Sequence, residues 1–347
     1  MTKKRIEGDM SCDAGILVLP ECLDQSYESH MPCFPLTVRL PRFDPDVHHH
    51  NLIAPHSDFR AERDESDAAE ALYAGDSAWG SMQEWSDPDP SEDWNTAVLP
   101  PKYFVVEQLR FITEGAAGDD DEFQHTRDHV VAHRASWWSL LADWIGVVSM
   151  QDLIELGRQR RQSFSRTTMW ITEPQEGQEG QEPGFSWVQM PELRPYVGNP
   201  LTKGQLERCM SLAGEARRPP DAWLMLRDAR SLLNSGEYRR AVLDAGTAAE
   251  LALTARLDAY LAANSSPEMA EALMDKYKML GPLTELAKKL NVAALPKQFR
   301  PQVIEPRNKA VHGGREMTKD VAEKAVAITS ELLQAIHPLS DFGFPTV

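Results

Sequence analysis

The sequence predicts an α+β protein, with a mixed strand-and-helix unit in residues 1–200 and an all-helical bundle in residues 220–340. The first part contains short apolar or alternating runs bounded by prolines, as in residues 14–43 and 101–113, and such runs are typical of strands. From residue 222 onwards, apolar residues recur at spacings of three and four, which indicates amphipathic helices with short connections.

The distribution of charge supports the same division. The chain of 347 residues has a net charge of −17. Residues 201–347 carry 20 Lys and Arg against 18 Asp and Glu, a balance of +2, whereas residues 1–200 carry 16 against 35, a balance of −19. This asymmetry indicates two units with different tasks. The acidic unit is either a solvated coat or a shield for a basic site.

Composition favours a globular protein without a membrane segment. Hydrophobic residues make up 42% of the chain, yet no run approaches the roughly 20 apolar residues of a membrane span. The basic N-terminus is not followed by an apolar stretch of signal length. We therefore expect a cytoplasmic protein with no membrane partner. The four cysteines (Cys12, Cys22, Cys33 and Cys209) match no zinc spacing, and we expect free thiols.

The acidic unit also contains one long helical pattern and one candidate hairpin. Residues 124–163 carry an apolar stripe that includes Trp137, Leu141 and Trp144, and they predict a helix. Residues 167–172 and 184–190 predict paired strands. Their Trp170 and Trp187 either pack in a sheet core or stack on a ligand, and the core is the commoner role.

Clustered histidines and aspartates raise the question of a metal site. The four-spaced histidines share one helix face and could form a metal ladder, but the charged residues beside them, Arg127, Asp128 and Arg134, favour a solvated face. The other two groups lack the spaced ligands of a zinc or calcium site. We therefore expect solvated surface groups, no metal and no cofactor. The groups are His48–His50 with His56, the four-spaced His125, His129 and His133, and Asp119–Asp121.

The connection between the units is predicted at residues 201–219, as a short helix followed by a linker. The bundle then contains helices at 222–236 and 237–263, a segment at 267–291 broken at Gly281-Pro282, and a last helix at 318–336. The helix at 237–263 is rich in alanine, and small residues on its apolar stripe allow close approach of another helix.

The strongest candidate for a functional site in this sequence is the run Arg307-Asn308-Lys309-Ala310-Val311-His312. On a helix Asn308 and His312 share a face, whereas Arg307 and His312 lie about 140° apart. Pro306 either begins this helix or interrupts a longer one that starts near Pro301. Gly313 is suited to ending it.

An arginine and a histidine in the same motif are suited to the cleavage of RNA. The guanidinium forms a fork of donors that fits a phosphate. A histidine titrates near neutrality and moves protons. Cleavage of RNA by its own 2′-hydroxyl needs both a proton-transfer group and a cation that stabilises the developing charge.

The run RNKAVHGG, set among helices of this order, resembles the signature of the HEPN family, over roughly residues 220–338. The resemblance implies an all-helical domain and a homodimer in which two motifs face each other. It also implies metal-independent RNA cleavage that leaves a 2′,3′-cyclic phosphate. Arg307, Asn308 and His312 would then be the catalytic set. Some family members carry a regulatory tyrosine two residues after the histidine, where this chain has Gly314.

Glu250 is a further candidate, because it is an acidic residue inside the Ala-rich helix. HEPN domains often have an acidic residue at this place, near the Arg and the His. The resemblance therefore implies that Glu250 orients Arg307 or His312. The alternative is a surface carboxylate that supports Arg256 or another neighbour. Asp244 is a weaker second candidate.

The resemblance implies an endoribonuclease that acts as a toxin or a phage-defence effector, with an antitoxin or regulatory protein as a further partner. The alternative is a non-catalytic HEPN module that binds nucleotide or RNA, or only dimerises, while residues 1–200 recognise a partner. The balance of +2 is low for a strong RNA-binding domain and favours this alternative.

Overall fold

The computed structural model describes residues 4–31, 34–43, 51–55, 79–85, 101–115, 120–154, 156, 167–172, 185–190, 198–312 and 316–345. Within these residues, the main antiparallel sheet is formed by strands between Lys4 and Gly115. Most of the helices come from the last third of the chain. The predicted α+β class is confirmed.

The main sheet has five strands and is built around the long strand β5. In chain order the strands are β1 (Lys4–Val18), β2 (Ser26–Met31), β3 (Phe34–Arg39), β4 (Gly80–Trp85) and β5 (Pro101–Gly115). The strand order is β1-β5-β3-β2, and all pairs are antiparallel. Strand β4 also pairs with β5, so β3 and β4 follow one another along the same edge of β5.

The helix α1 (Asp120–Ser149) follows the sheet. The prediction that it continues to residue 163 is wrong, because Met150 adopts the left-handed conformation with a φ of 60°. The next residue, Gln151, instead bonds to backbone: its side chain accepts from the Leu17 N–H and donates to the carbonyls of Leu17 and Asn199. These three bonds fix the end of α1 against β1.

A separate hairpin follows α1. It consists of β6 (Thr167–Thr172) and β7 (Phe185–Met190), which pair antiparallel with Trp170 opposite Trp187. The predicted pairing is confirmed. The two indole side chains lie outside the described residues.

The helical region contains seven further α-helices among the described residues. They are α2 (Lys203–Gly214), α3 (Asp221–Asn234), α4 (Tyr238–Asn264), α5 (Pro267–Lys276), α6 (Leu280–Leu290), α7 (Glu305–His312) and α8 (Lys319–Ile336). The break predicted at Gly281-Pro282 lies earlier, between α5 and α6. Pro282 occupies the first turn of α6, where a missing N–H costs no hydrogen bond.

Helix α2 lies in the stretch predicted to connect the two units, and it is part of the core. Its Leu206, Cys209 and Met210 are buried. A hydrogen-bonded chain joins it to the sheet and to α1: the Trp137 indole donates to Ser29 Oγ, which donates to the Met210 carbonyl. Strand β2, helix α1 and helix α2 are therefore packed together.

Apolar side chains form two clusters. The first runs through the sheet and the helices and includes Val18, Trp144, Trp223 and Leu333. The second lies within the helical region, where Leu253 of α4, Leu283 of α6 and Leu332 of α8 surround the residues just before α7. This second cluster supports the segment that carries the candidate motif.

Two sequence-based expectations concern membrane segments and cysteines. No helix in the described part of the chain is long and apolar enough to cross a membrane. No disulfide joins the described cysteines, Cys12, Cys22 and Cys209, all of which are buried. Burial raises the pKa of the Cys22 thiol to about 11, which keeps it protonated at neutral pH.

Candidate functional site

The candidate motif lies where α7 packs against α4. The side chain of Arg307 crosses α4 at Gly246 and Glu250, which stand one helical turn apart. Arg307 Nη2 lies 3.4 Å from Glu250 Oε2, and both side chains are largely buried. A Cβ atom on Gly246 would come within 2.7 Å of Arg307 Cγ. The glycine therefore provides the space in which Arg307 lies.

The start of α7 explains how the motif is presented. A π-helical turn, Arg300–Ile304, leads directly into α7, and the Glu305 N–H donates to the carbonyl of Arg300, five residues earlier. Pro306 is buried at the junction and has no N–H to donate. Proline thus lies inside a longer helical segment that begins at Phe299, which is the second of the two predicted arrangements. Turns of this type are frequent at functional sites.

The last turn of α7 is tied to α4 by Arg239. Its Nε donates to the carbonyl of Ala310 at 2.9 Å. The last carbonyl groups of a helix have no partner within the helix, so this bond satisfies one of them and adds a positive charge where the helix dipole favours it. His312 is the final residue of α7. Gly313 and Gly314, predicted to end the helix, lie outside the described residues.

The motif residues occupy different faces of α7. Pro306 and Ala310 are buried against the protein, and Arg307 lies at the edge of that buried face. Asn308 and His312 are exposed on the outer face. Arg307 thus points toward α4 while His312 is open to solvent, as the angular spacing predicts.

Glu250 contacts Arg307 rather than Arg256, the neighbour proposed in the alternative interpretation. Arg256 Nε donates instead to the carbonyl of Val292 at 3.0 Å. An ion pair at 3.4 Å orients the guanidinium and neutralises part of its charge. Because a guanidinium has five N–H donors, this contact leaves donors for a phosphate.

Asp244 stands apart from this arrangement. It lies on α4 and is half-buried, and burial together with the nearby charge of Asp228 raises the pKa of its carboxyl group, while Arg240 opposes the shift. The charged neighbour of Asp244 is therefore the carboxylate of Asp228 on α3, and Asp244 is not part of the arrangement around Arg307.

The predicted histidine and aspartate groups are only partly described. His129 and His133 lie side by side on α1, with ring centroids 5.7 Å apart. Within the described ranges, no three His, Cys, Asp or Glu side chains are placed to hold a metal ion. Outside the described residues lie His48–His50, His56, and the side chains of His125 and Asp119–Asp121.

Two residues of the site were not identified from the sequence. Gly246 had a usable signal, because a glycine inside an Ala-rich helix, four residues before Glu250, marks a close approach. Arg239 had none, since its contact with Ala310 spans 71 positions and depends on how the two helices pack.

The chain matches no protein-family model, no curated protein and no solved structure. Any assignment of function to this chain therefore rests on its sequence motif and on the geometry around Arg307.

Proposed function

We propose that the protein is a metal-independent endoribonuclease of HEPN type that cleaves RNA through attack by the 2′-hydroxyl group. The observation that carries the proposal is the placement of Arg307 between Gly246 and Glu250 of α4, with His312 exposed at the end of the same short helix. This reaction requires a cation fixed in position, which stabilises negative charge, and an accessible imidazole, which transfers protons.

Each residue has a distinct role in this reaction. His312 acts as general base or general acid, because an exposed imidazole can accept and donate a proton. Arg307 stabilises the negative charge that develops on the phosphorane. Asn308 holds the phosphate or fixes the motif. Glu250 orients Arg307 through the 3.4 Å contact and is a positioning residue.

The reaction centre would be shared by two copies of the chain. Arg307 and His312 point in different directions on one helix, so two copies of α7 that meet about a two-fold axis would bring the arginine of one beside the histidine of the other. Val311 lies between them in sequence and is 43% exposed, and Leu251 beside Glu250 is 38% exposed. Both would be covered in such a homodimer.

The biological role that fits is a toxin or phage-defence effector in the cytoplasm, held in check by an antitoxin or regulatory protein. The balance of −19 in residues 1–200 fits this role, because an acidic segment of the same chain competes with RNA for cationic groups when the two meet. No metal or cofactor takes part in the proposed chemistry.

A binding module is the second candidate. Residues 201–347 have a balance of only +2, and Glu250 neutralises part of the charge of Arg307. Both features weaken the attraction to a polyanion. In this case the motif would bind nucleotide or RNA, or only dimerise, without cleaving it.

The experiment is an RNA cleavage assay in excess EDTA. We expect wild type to cleave a labelled single-stranded RNA, and His312→Ala and Arg307→Ala to lower the rate by roughly a hundredfold or more. Asn308→Ala should lower it less. DNA of the same sequence should resist, since it lacks the attacking group.

Lys309→Ala is the matched control, because Lys309 is an exposed cation on the same helix between the proposed catalytic residues. It should retain most of the activity. Equal rates for wild type and His312→Ala would eliminate the catalytic assignment. Binding of RNA without cleavage in any condition would establish the binding module instead.

A further inference from the structure

A cavity of about 780 Å³ lies between α3 and α8, and none of the motif residues lines it. One wall is formed by Arg230, Leu233 and Asn234 at the end of α3. A second wall is the face of α8 from Glu323 to Gln334. Met150, Gly198 and Asn199, which come before α2, close the side of the cavity. A cavity of this size accommodates a small organic molecule.

Arg230 is the unusual group in this cavity. Its Nη2 donates to Ser330 Oγ at 3.0 Å, whereas its Nη1 is buried without a hydrogen-bond partner among the described residues. Buried polar groups are normally paired, and an unpaired one requires an explanation. Burial lowers the pKa of Arg230 to about 10, so the side chain is still charged at neutral pH.

No carboxylate of the described residues forms an ion pair with Arg230. The neighbouring arginine on α3, Arg227, shows the contrast, since it pairs with both Asp143 and Asp228. A buried charge without a counter-charge destabilises the folded chain. A bound anion would remove this cost.

The rest of the lining defines what kind of anion fits. Leu233, Val326 and Ala327 provide an apolar surface beside Arg230. The lining of α8 runs over 12 residues, from Glu323 to Gln334, or about 16 Å of helix. Glu323 and Glu331 lie at the same wall and are exposed. Their negative charges repel a ligand with several negative charges.

We propose that this cavity is a binding site for a small monocarboxylate with an apolar body, whose carboxylate pairs with the Arg230 guanidinium. A single guanidinium neutralises a single negative charge, and the carboxylate pairs with the part of the Arg230 side chain that lines the cavity. The apolar body lies against Leu233, Val326 and Ala327. Ser330 holds the guanidinium in place through its contact with Nη2.

Isothermal titration calorimetry of the full-length chain tests this site. The probes are octanoate and 4-phenylbutyrate, each compared with its primary amide, and inorganic phosphate as an anion without an apolar body. We expect at least one carboxylate to bind with a stoichiometry of one per chain, and its amide and inorganic phosphate to bind at least about tenfold more weakly.

Arg230→Met removes the charge and keeps an unbranched apolar side chain. It should weaken carboxylate binding at least about tenfold and should not lower the melting temperature, because it removes an unpaired buried charge. Arg218→Met is the matched control, since the Arg218 side chain is 64% exposed and lies outside the cavity. It should bind the carboxylates as wild type does.

Four results would overturn the proposal. The first three are the absence of binding for both carboxylates, equal binding of carboxylate and amide, and unchanged carboxylate binding by a folded Arg230→Met variant. Tighter binding of inorganic phosphate than of either carboxylate would also overturn it, because the cavity would then recognise an anion without its apolar body. The proposal does not depend on the nuclease activity, so each can fail separately.

Discussion

The ionic environment of single side chains distinguishes Arg307 from Arg227 and Arg230. Arg227 is paired with two aspartates, and Arg230 has one unpartnered nitrogen among the described residues. Arg307 has one carboxylate at 3.4 Å and remains partly accessible. It is thus oriented without being fully neutralised, which is what a residue that binds a transient negative charge requires.

Asp244 allows a test of pH dependence at the residue scale. Its pKa is raised in the folded chain by burial and by Asp228. The unfolded chain therefore loses this proton at lower pH than the folded chain, so ionisation of Asp244 favours unfolding. The cost is absent below the ordinary pKa of 3.8 and is complete above the raised pKa.

We therefore expect Asp244→Asn to raise the free energy of unfolding at about pH 8, by less than about 1 kcal/mol because the group is half exposed and Arg240 offsets part of the cost. The gain should shrink as the pH falls to about 4. Urea denaturation across this range measures it. Asp258→Asn, at an exposed position of the same helix, serves as control. A loss of stability at about pH 8 would show that Asp244 is favourably paired.

The sequence identified the motif residues, and the family resemblance offered Glu250 as a partner of Arg307 or His312, but the choice among these contacts stayed open. Arg307, Asn308 and His312 follow from local spacing, and helical geometry gives their relative directions. Arg307 and Glu250 are 57 positions apart, and which carboxylate Arg307 meets depends on the packing of α4 and α7. The unpartnered nitrogen of Arg230 could not be predicted either, because it depends on groups from three distant segments.

Some helix boundaries follow from the local sequence pattern, whereas others depend on long-range contacts. The helices α3, α4 and α8 were predicted within a few residues, because their apolar stripes have a clear period. The end of α1 was missed, since the bonds of Gln151 to Leu17 and Asn199 are long-range contacts. Long-range contacts of this kind have no signature in a local pattern.

The close approach of α4 and α7 gives a prediction at the scale of elements. Gly246→Ala would place a Cβ 2.7 Å from Arg307 Cγ, so the Arg307 side chain must shift from the position in which it contacts Glu250. We expect RNA cleavage to fall at least about tenfold, since small displacements of a catalytic group are costly. The assay is the rate in EDTA, together with the melting temperature.

Gly204→Ala is the control for this change, because Gly204 lies in α2 and a Cβ at this position would have no other atom within 4 Å. It should leave cleavage unchanged and stabilise the protein by up to about 1 kcal/mol, the difference in helix propensity between alanine and glycine. Unchanged cleavage in Gly246→Ala would mean that the position of Arg307 against α4 does not matter for activity.

At the scale of the whole molecule, the sheet and the helical region share one apolar cluster. Trp144 of α1 illustrates this: its indole donates to the carbonyl of Arg217, and its ring lies 5.2 Å from that of Phe342. The change in charge near residue 200 therefore does not coincide with a break in packing. Surface charge is largely independent of how the core is connected, which is why composition could not reveal this continuity.

The shared reaction centre predicts complementation between inactive variants. Mixed dimers of Arg307→Ala and His312→Ala chains contain one centre with both wild-type residues. We therefore expect the mixture, after subunit exchange, to recover roughly a quarter of the wild-type rate. Analytical ultracentrifugation of wild type should show a dimer. A mixture that exchanges subunits but stays as inactive as either variant would contradict a centre shared between two chains.

The most direct test of the proposed mechanism is cleavage of an RNA that carries a single 2′-deoxy nucleotide on the 5′ side of the cleaved bond. Attack by the 2′-hydroxyl predicts that this bond becomes resistant in EDTA while neighbouring bonds are unaffected. It also predicts that the unmodified RNA yields fragments ending in a 2′,3′-cyclic phosphate. Equal cleavage at the 2′-deoxy position, or 5′-side fragments whose newly formed end is a 3′-hydroxyl group, would contradict the proposed mechanism.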